Sequence, residues 1–297
     1  MNLVRSICFF LSLLSLPLLA AEGGHRPHQT TACVASGSWQ VPGEAGSVDE
    51  DAILARARSS QVVLLGEHHD NQSHHDWQLR MLKRLHQTTP ALEVGFEMLP
   101  RESQPLIDRY LQGEIDLKKF LEEIEWDRRW SFSAAYYTPL LEYAREQQIP
   151  VRALNVTREK VEAAVERGWD EVPGGLTAPA KATRPYLRHL VMSFQRHKFP
   201  GAKLDMEVEG PAFRRFVQKQ LLWDRAMAEG INARLARPQP PLVVAFIGSG
   251  HLMYDYGVPH QLLSLGVEEV MTLIPWDRHL DCSVLVEGFA DAVFGAE

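Results

Sequence analysis

The 297 residues suffice for a full hydrophobic core in one domain, or in one domain carrying an insertion. Composition is that of an ordinary globular protein, 45% hydrophobic and 23% charged, and the formal net charge of −7 argues against nucleic-acid binding, which would require a basic stripe. No low-complexity segment occurs, and no internal repeat on the order of 20–50 residues, which sets aside solenoids and propellers.

Residues 1–21 read as an export signal. MNLVR carries one positive charge, ICFFLSLLSLPLL is apolar, and Leu19-Ala20-Ala21 offers a cleavage site. The apolar run is short for a bilayer span, although a short membrane anchor is the other reading. Removal of Met1–Ala21 takes away Arg5 and no acid, leaving 30 basic against 38 acidic residues and a net −8. A lipoprotein would place a cysteine directly after the apolar run. Cys33 comes well downstream, so lipidation is not expected and the periplasm is the expected compartment. Cleavage leaves Cys33 and Cys282, which in an oxidising compartment either pair or stay as unrelated thiols.

Residues 22–48, rich in Gly, Pro, Thr and Ser, predict an exposed arm. A short helix is predicted over 49–59, with Asp49 or Ser47 as its cap. QVVLLG (61–66) is a continuous apolar run of strand length ending in glycine, the pattern of a strand buried on both faces. SHHDWQLRMLKRLHQ (73–87) then has helical spacing, with His75, Leu79, Leu82 and His86 on one face. ALEVGFE (91–97), VRALN (151–155) and PLVVAFIGSGH (241–251) are further strand candidates, with a helix over 138–148 before the second of them. EEVMTLIP (268–275) and SVLVEG (283–288) follow as strands, and ADAVF (290–294) as an edge strand. Strands alternating with helices predict an α/β fold, a mainly parallel sheet flanked by helices, over 49–297. The stretch 158–236 is too long for a plain crossover. It is read as a helical insertion subdomain capping the sheet, with its main helix running from Pro211 toward Pro238.

Each buried strand candidate ends in polar residues: Glu67, His68 and His69; Glu97; Asn155 with Arg158 behind it; and Gly248-Ser249-Gly250-His251. Ligands of open α/β sheets bind outside the carboxyl ends of the strands, so these ends point to one convergent site. His68 and His69 are adjacent after a strand and point to different sides, so one of them faces that site. Other readings stand beside this one. His75 on an apolar helix face is equally a satisfied core histidine, Glu97 a helix cap, and Asp224 a partner of Arg225. Trp223 and Met227 read as core. Gly248-Ser249-Gly250 is a weak anion-cradle signal, and Ile247 rules out a nucleophile elbow.

The combination GEHHDNxxHHxxQ, GFEM, ALNV, QxxWDxxMA and GSGHxxxDYGVP, running from Val62 to Pro259, resembles the ChaN-like haem-binding uptake family. That family sits in a superfamily with Tiki, TraB and the erythromycin esterases. The resemblance falls on Glu67, His69, Asp70, His74, His75, Gln78, Glu97, Asn155, Gln220, Asp224, Gly250 and His251. The chain departs from it in lacking a lipid-anchor cysteine and in flanking Asp255 with Tyr254 and Tyr256. The resemblance implies an exported protein of haem and iron uptake, with haem as the cofactor, whether cargo or substrate. It implies as partners an outer-membrane haem receptor or a periplasmic haem carrier, and a homodimer among the allowed states. Haem asks for a Tyr, His or Met ligand and cations for its propionates. Tyr254, Tyr256, His189, His197 and Met192 are the candidate ligands, with Arg188, Arg196 and Lys198 as cations. The wider superfamily implies the alternative, a hydrolase in which Glu67, His69, Glu97 and His251 hold a divalent cation or act as general base and orienter.

Overall fold

In a computed structural model the described residues are 33–167, 175–198, 210–277 and 280–296. The predicted signal and the first part of the arm lie outside them. The described chain opens with β1 (Trp39–Gln40), then α1 (Glu50–Ser59), β2 (Val62–Glu67), α2 (Gln72–Thr88) and β3 (Leu92–Pro100). Four helices follow: α3 (Gln104–Leu111), α4 (Leu117–Glu123), α5 (Trp126–Arg129) and α6 (Thr138–Glu146). Next come β4 (Val151–Asn155), α7 (Arg158–Arg167), α8 (Arg184–Lys198), α9 (Pro211–Leu235) and β5 (Leu242–Gly248). The chain closes with α10 (Val258–Ser264), β6 (Val270–Trp276) and β7 (Ala292–Gly295).

The seven strands form one sheet in the order β1-β7-β6-β2-β5-β3-β4, parallel throughout except for antiparallel β1 on β7. The mainly parallel α/β class thus follows from apolar runs that have no polar face. Alternate residues feed two cores. Val63 and Leu65 join α1, α2, α3 and α6 on one side, and Val62 and Leu64 join α9 and α10 on the other. The stretch 158–236 contributes helices to this layering: Met227, Ala228 and Ile231 of α9 pack into the second core, while α7 and α8 build two small apolar clusters with α9. Among the described residues no helix is long and apolar enough to cross a membrane.

Three departures from the sequence reading concern the ends of the sheet. The described part of the predicted arm is not simply exposed: Val34 and Trp39 are buried, and the Trp39 indole donates to Glu50 Oε2 at 3.0 Å. A two-residue strand leaves no periodicity to read. ADAVF does form a strand, but β1 covers its outer side, so β7 is not the edge. SVLVEG is not a strand. A single 3₁₀ turn covers Cys282–Val284, and Val284 and Val286 are exposed, because β6 and β7 already have strands on both sides. Cys33 and Cys282 are joined in a disulfide that ties this turn to the start of the described chain.

Candidate functional site

The strand order places the carboxyl ends of β2, β5, β3 and β4 side by side, which brings Glu67, Gly248, Glu97 and Asn155 to one rim. The chain leaves β2 for β3 and β4 on one side and returns through β5 to β6 and β7 on the other, so the connections reverse direction at this rim, where α/β sheets bind ligands. Glu67 is fully buried beneath it. His69 Nδ1–H donates to Glu67 Oε1 at 2.7 Å, the Tyr137 hydroxyl donates to the same oxygen at 2.7 Å, and Gln78 Nε2 donates to Oε2 at 2.9 Å. Burial works to raise the Glu67 pKa, but the His69 hydrogen bond and the charges of His69 and His75 outweigh it, so the group sits below its ordinary value. The carboxylate is therefore ionised and can only accept, which fixes the proton on His69 Nδ1. Burial alone would depress His69, yet Glu67 and then Glu97 hold it above its ordinary value.

A second arrangement of the same kind comes from the opposite side of the sheet. His251 follows β5 in a 3₁₀ turn, and its Nδ1 donates to Asp224 Oδ1 of α9 at 2.6 Å. Asp224 is fully buried, and its other oxygen accepts the Tyr186 hydroxyl of α8 at 2.6 Å. Burial would lower the His251 pKa, but the Asp224 charge and hydrogen bond, with Glu97 behind them, raise it to about 9. Asp224 is not the surface partner of Arg225, which instead meets Glu229 and Thr177. Glu97 lies between the two imidazoles and caps no helix. Its Oε2 accepts Gly248 N–H at 2.6 Å, and its Oε1 stands 3.7 Å from His251 Nε2. A Cβ on Gly248 would fall 2.9 Å from His69 Nε2, so glycine is what lets this ring approach the strand end. Gly257, at φ +62°, wraps the backbone over the second arrangement, where a Cβ would fall 2.4 Å from the His251 carbonyl.

The two tyrosines were not legible as site residues. They stand in helical segments far along the chain, with only an aromatic hydroxyl on an apolar helix face to mark them. Other motif residues serve as supports. His75 Nε2 bonds the His69 carbonyl at 3.2 Å, and its ring stacks on Tyr136. Asn71 caps α2, Asp70 is exposed, and Gly250 has open space around it. Asp277 accepts from Asn71 Nδ2 at 2.9 Å. His74 is fully buried, and its Nδ1 accepts the His68 backbone N–H at 2.9 Å. Burial pushes its pKa down to about 4, the nearby Asp277 offsetting this only in part.

Among the described residues, one set of three such groups has all its donor atoms within 4.8 Å of one another, and it is His68, His74 and Asp277, not the strand-end four. The His74 tautomer weighs against a cation there. With Nδ1 accepting a backbone N–H, Nε2 keeps its proton and has no lone pair to offer.

Above the strand ends lies a cleft of about 470 Å³ lined by His69, Glu97, Asn155, Gln220 and His251. Trp130, Phe132 and Trp223 give it aromatic surface, and Arg128, Arg129 and Arg158 line it with charge. Around the turn from His251, a separate hollow of about 390 Å³ is lined by Tyr254, Tyr256, Pro259 and Leu263. The Tyr254 and Tyr256 rings are 5.5 Å apart, with His189 at 6.4 and 5.9 Å from them. Tyr254 and Asp255 both adopt left-handed backbone, an uncommon conformation for such residues. Met192 is half-buried on α8, and the side chains of Arg196, His197 and Lys198 lie outside the described residues.

A family model described as haem-binding uptake, Tiki superfamily, ChaN, matches residues 53–262. The chain belongs to the ChaN family. No curated protein matches it in sequence. Its fold is similar to that of a Campylobacter jejuni ChaN structure described by cofacial haem binding, at 17% identity and a TM-score of 0.64, over 84% of this chain and 92% of the other. An erythromycin esterase in its open conformation matches at 12% identity and a TM-score of 0.46, over 81% of this chain and 77% of the other. The C-terminal region of the Pasteurella multocida toxin matches at 14% identity and a TM-score of 0.46, over 77% of this chain and 25% of the other. The first similarity is one of fold alone, and the other two carry no argument.

Proposed function

We propose that this chain is an exported haem-binding protein of haem and iron uptake, working in the periplasm. The observation that carries this is the family match across residues 53–262. The charged start, apolar run and Leu19-Ala20-Ala21 of the sequence support export. An outer-membrane haem receptor or a periplasmic carrier would be the partner, and pairing of two copies belongs to the same proposal.

The tyrosine hollow fits a haem face. It offers the phenols of Tyr186, Tyr254 and Tyr256 and the His260 imidazole beside Pro259, Leu263 and Val267, with His189 packed near the last two phenols. Bound ferric haem would supply a Lewis-acidic iron, for which an anionic oxygen is a good partner. Tyr254 and Tyr256 are the ligand candidates, and Tyr256 is preferred. Tyr254 already donates to the Val284 carbonyl at 3.1 Å, whereas the Tyr256 hydroxyl has no hydrogen-bond partner among the described residues. Burial first, then the neighbouring Tyr256, hold the Tyr254 pKa above its ordinary value, so the free protein keeps that phenol protonated. Ligation through either oxygen would release a proton. Arg188, exposed on α8 beside His189, is the cation for a propionate. An absorption titration of the mature protein with haemin tests the proposal. A saturable shift lost in a Tyr254→Phe, Tyr256→Phe double variant supports it. A shift that survives in that variant and disappears with His69→Ala and Glu97→Ala moves the haem to the strand ends.

A second reading, a hydrolase, is favoured by one observation: two carboxylate-held imidazoles flank the Glu97 carboxylate on a cleft. Glu97 would take a proton from water, and protonated His251 would give one to the leaving group. Release of acid from ester substrates, abolished by Glu97→Gln, would establish it.

A further inference from the structure

We propose that the strand-end cleft is a second small-molecule site, apart from the tyrosine hollow, and that it takes a flat apolar compound bearing one anionic head group. The size is right for such a ligand: about 470 Å³ lies in the range of pockets that enclose small molecules. Trp130 and Phe132, with ring centroids 5.8 Å apart, both lie 4.9 Å from His69, and Trp223 adds a third aromatic surface from α9. Such walls bind planar bodies by stacking and by burial of area.

The polar lining includes a cation and an amide donor that no acceptor holds among the described residues. Asn155 is 8% exposed, and its Oδ1 is occupied by Val156 N–H at 2.9 Å. Its Nδ2 has no hydrogen-bond partner among the described residues and belongs to the cleft lining. Arg158, at the start of α7, is exposed and has no ion-pair partner among the described residues. His251 spends its Nδ1 on Asp224, which leaves Nε2 for the cleft. The two carboxylates of the lining already have partners. Glu97 serves Gly248 and faces His251, and Glu159 lies 3.8 Å from Arg128. Arg128 and Arg129 are themselves held by Glu125 at 2.6 and 2.9 Å, which leaves Arg158 and the Asn155 amide as lining donors without a partner among the described residues. An anion seated in the cleft would meet these donors by charge-assisted hydrogen bonds. A carboxylate and a phosphate monoester share this chemistry. The proposal stands whether or not the cleft is catalytic, and it rests on haem binding in the tyrosine hollow.

The test is calorimetric titration of the mature chain with three probes of one body: 2-naphthoate, 2-naphthyl phosphate and 2-naphthalenemethanol. One anionic probe should bind one-to-one, at least about tenfold more tightly than the alcohol, and the tighter anion names the head group. Arg158→Gln should weaken that anion about tenfold and leave the alcohol unchanged, as expected for loss of one charge-assisted contact. Arg158 is exposed, so this variant keeps the fold, and Asn155→Leu gives a second, independent reading. Saturation with haemin should leave the affinity within about threefold. The proposal is overturned if neither anion binds, if the alcohol binds as tightly, or if haemin displaces the anion one-for-one.

Discussion

The strand-end cluster and the tyrosine hollow are a few residues apart in sequence, on either side of the turn after His251, and they are built in opposite ways. In the first, both His–carboxylate pairs are braced by a tyrosine hydroxyl, and Glu67 and Asp224 are fully buried. In the second, the phenols are half-buried and one hydroxyl has no hydrogen-bond partner among the described residues. Groups locked against one another have lost their water before any ligand arrives, so they carry stability and fixed geometry. Groups left partly in water cost the fold little and remain available to a ligand.

The sharpest way to break this comparison is to cut each region at its centre. Glu67→Ala strands the proton donors of His69, Tyr137 and Gln78 and should cost about 3–5 kcal/mol in urea unfolding, whereas Tyr254→Phe with Tyr256→Phe should cost under about 0.5 kcal/mol. Equal losses would end the contrast. Haemin affinity should show the reverse: roughly 100-fold weaker in the double tyrosine variant, and within about threefold of wild type in His251→Gln. Next in size are the braces themselves. Tyr137→Phe and Tyr186→Phe each remove one hydroxyl from a buried carboxylate and should cost about 1–3 kcal/mol, with little change in haemin affinity.

The smallest effect is the pH profile. His251, raised in the folded state to about 9, contributes stability that is full below the unfolded histidine value and is lost as pH rises toward 9. His74, lowered to about 4, contributes stability that is full above the unfolded value and is lost as pH falls toward 4. The urea midpoint should therefore peak near neutrality and decline on both sides, by on the order of 1 kcal/mol per pH unit. His251→Gln should flatten the alkaline limb and His74→Gln the acid one. A single-sided profile would show that the two histidines do not carry it.

The parallel strands were legible because burial on both faces leaves uninterrupted apolar runs, and their polar ends marked the rim at Glu67, Glu97, Asn155 and His251. What escaped was whatever depends on distant partners. Tyr137 lies 70 residues from Glu67, and Tyr186 lies 38 from Asp224, so no local pattern connects them. Asp224 beside Arg225 looked like a surface pair because adjacent opposite charges usually are one; the helix turns them to different neighbours. SVLVEG has strand composition but no free strand to pair with. The opposite holds for Trp39, whose two-residue strand has pairing but no composition.

Tyr186 has one further consequence. Its hydroxyl holds Asp224, while its ring lies 5.4 Å from that of Tyr256. One side chain is thus a wall of the hollow and a brace of the cluster. A ligand that tilts this ring in either place alters the other by a single coupling free energy, and the factor must be the same read from either end. Occupancy of the hollow would be felt at His251, and protonation of His251 would be felt in the hollow, without any movement of the sheet between them.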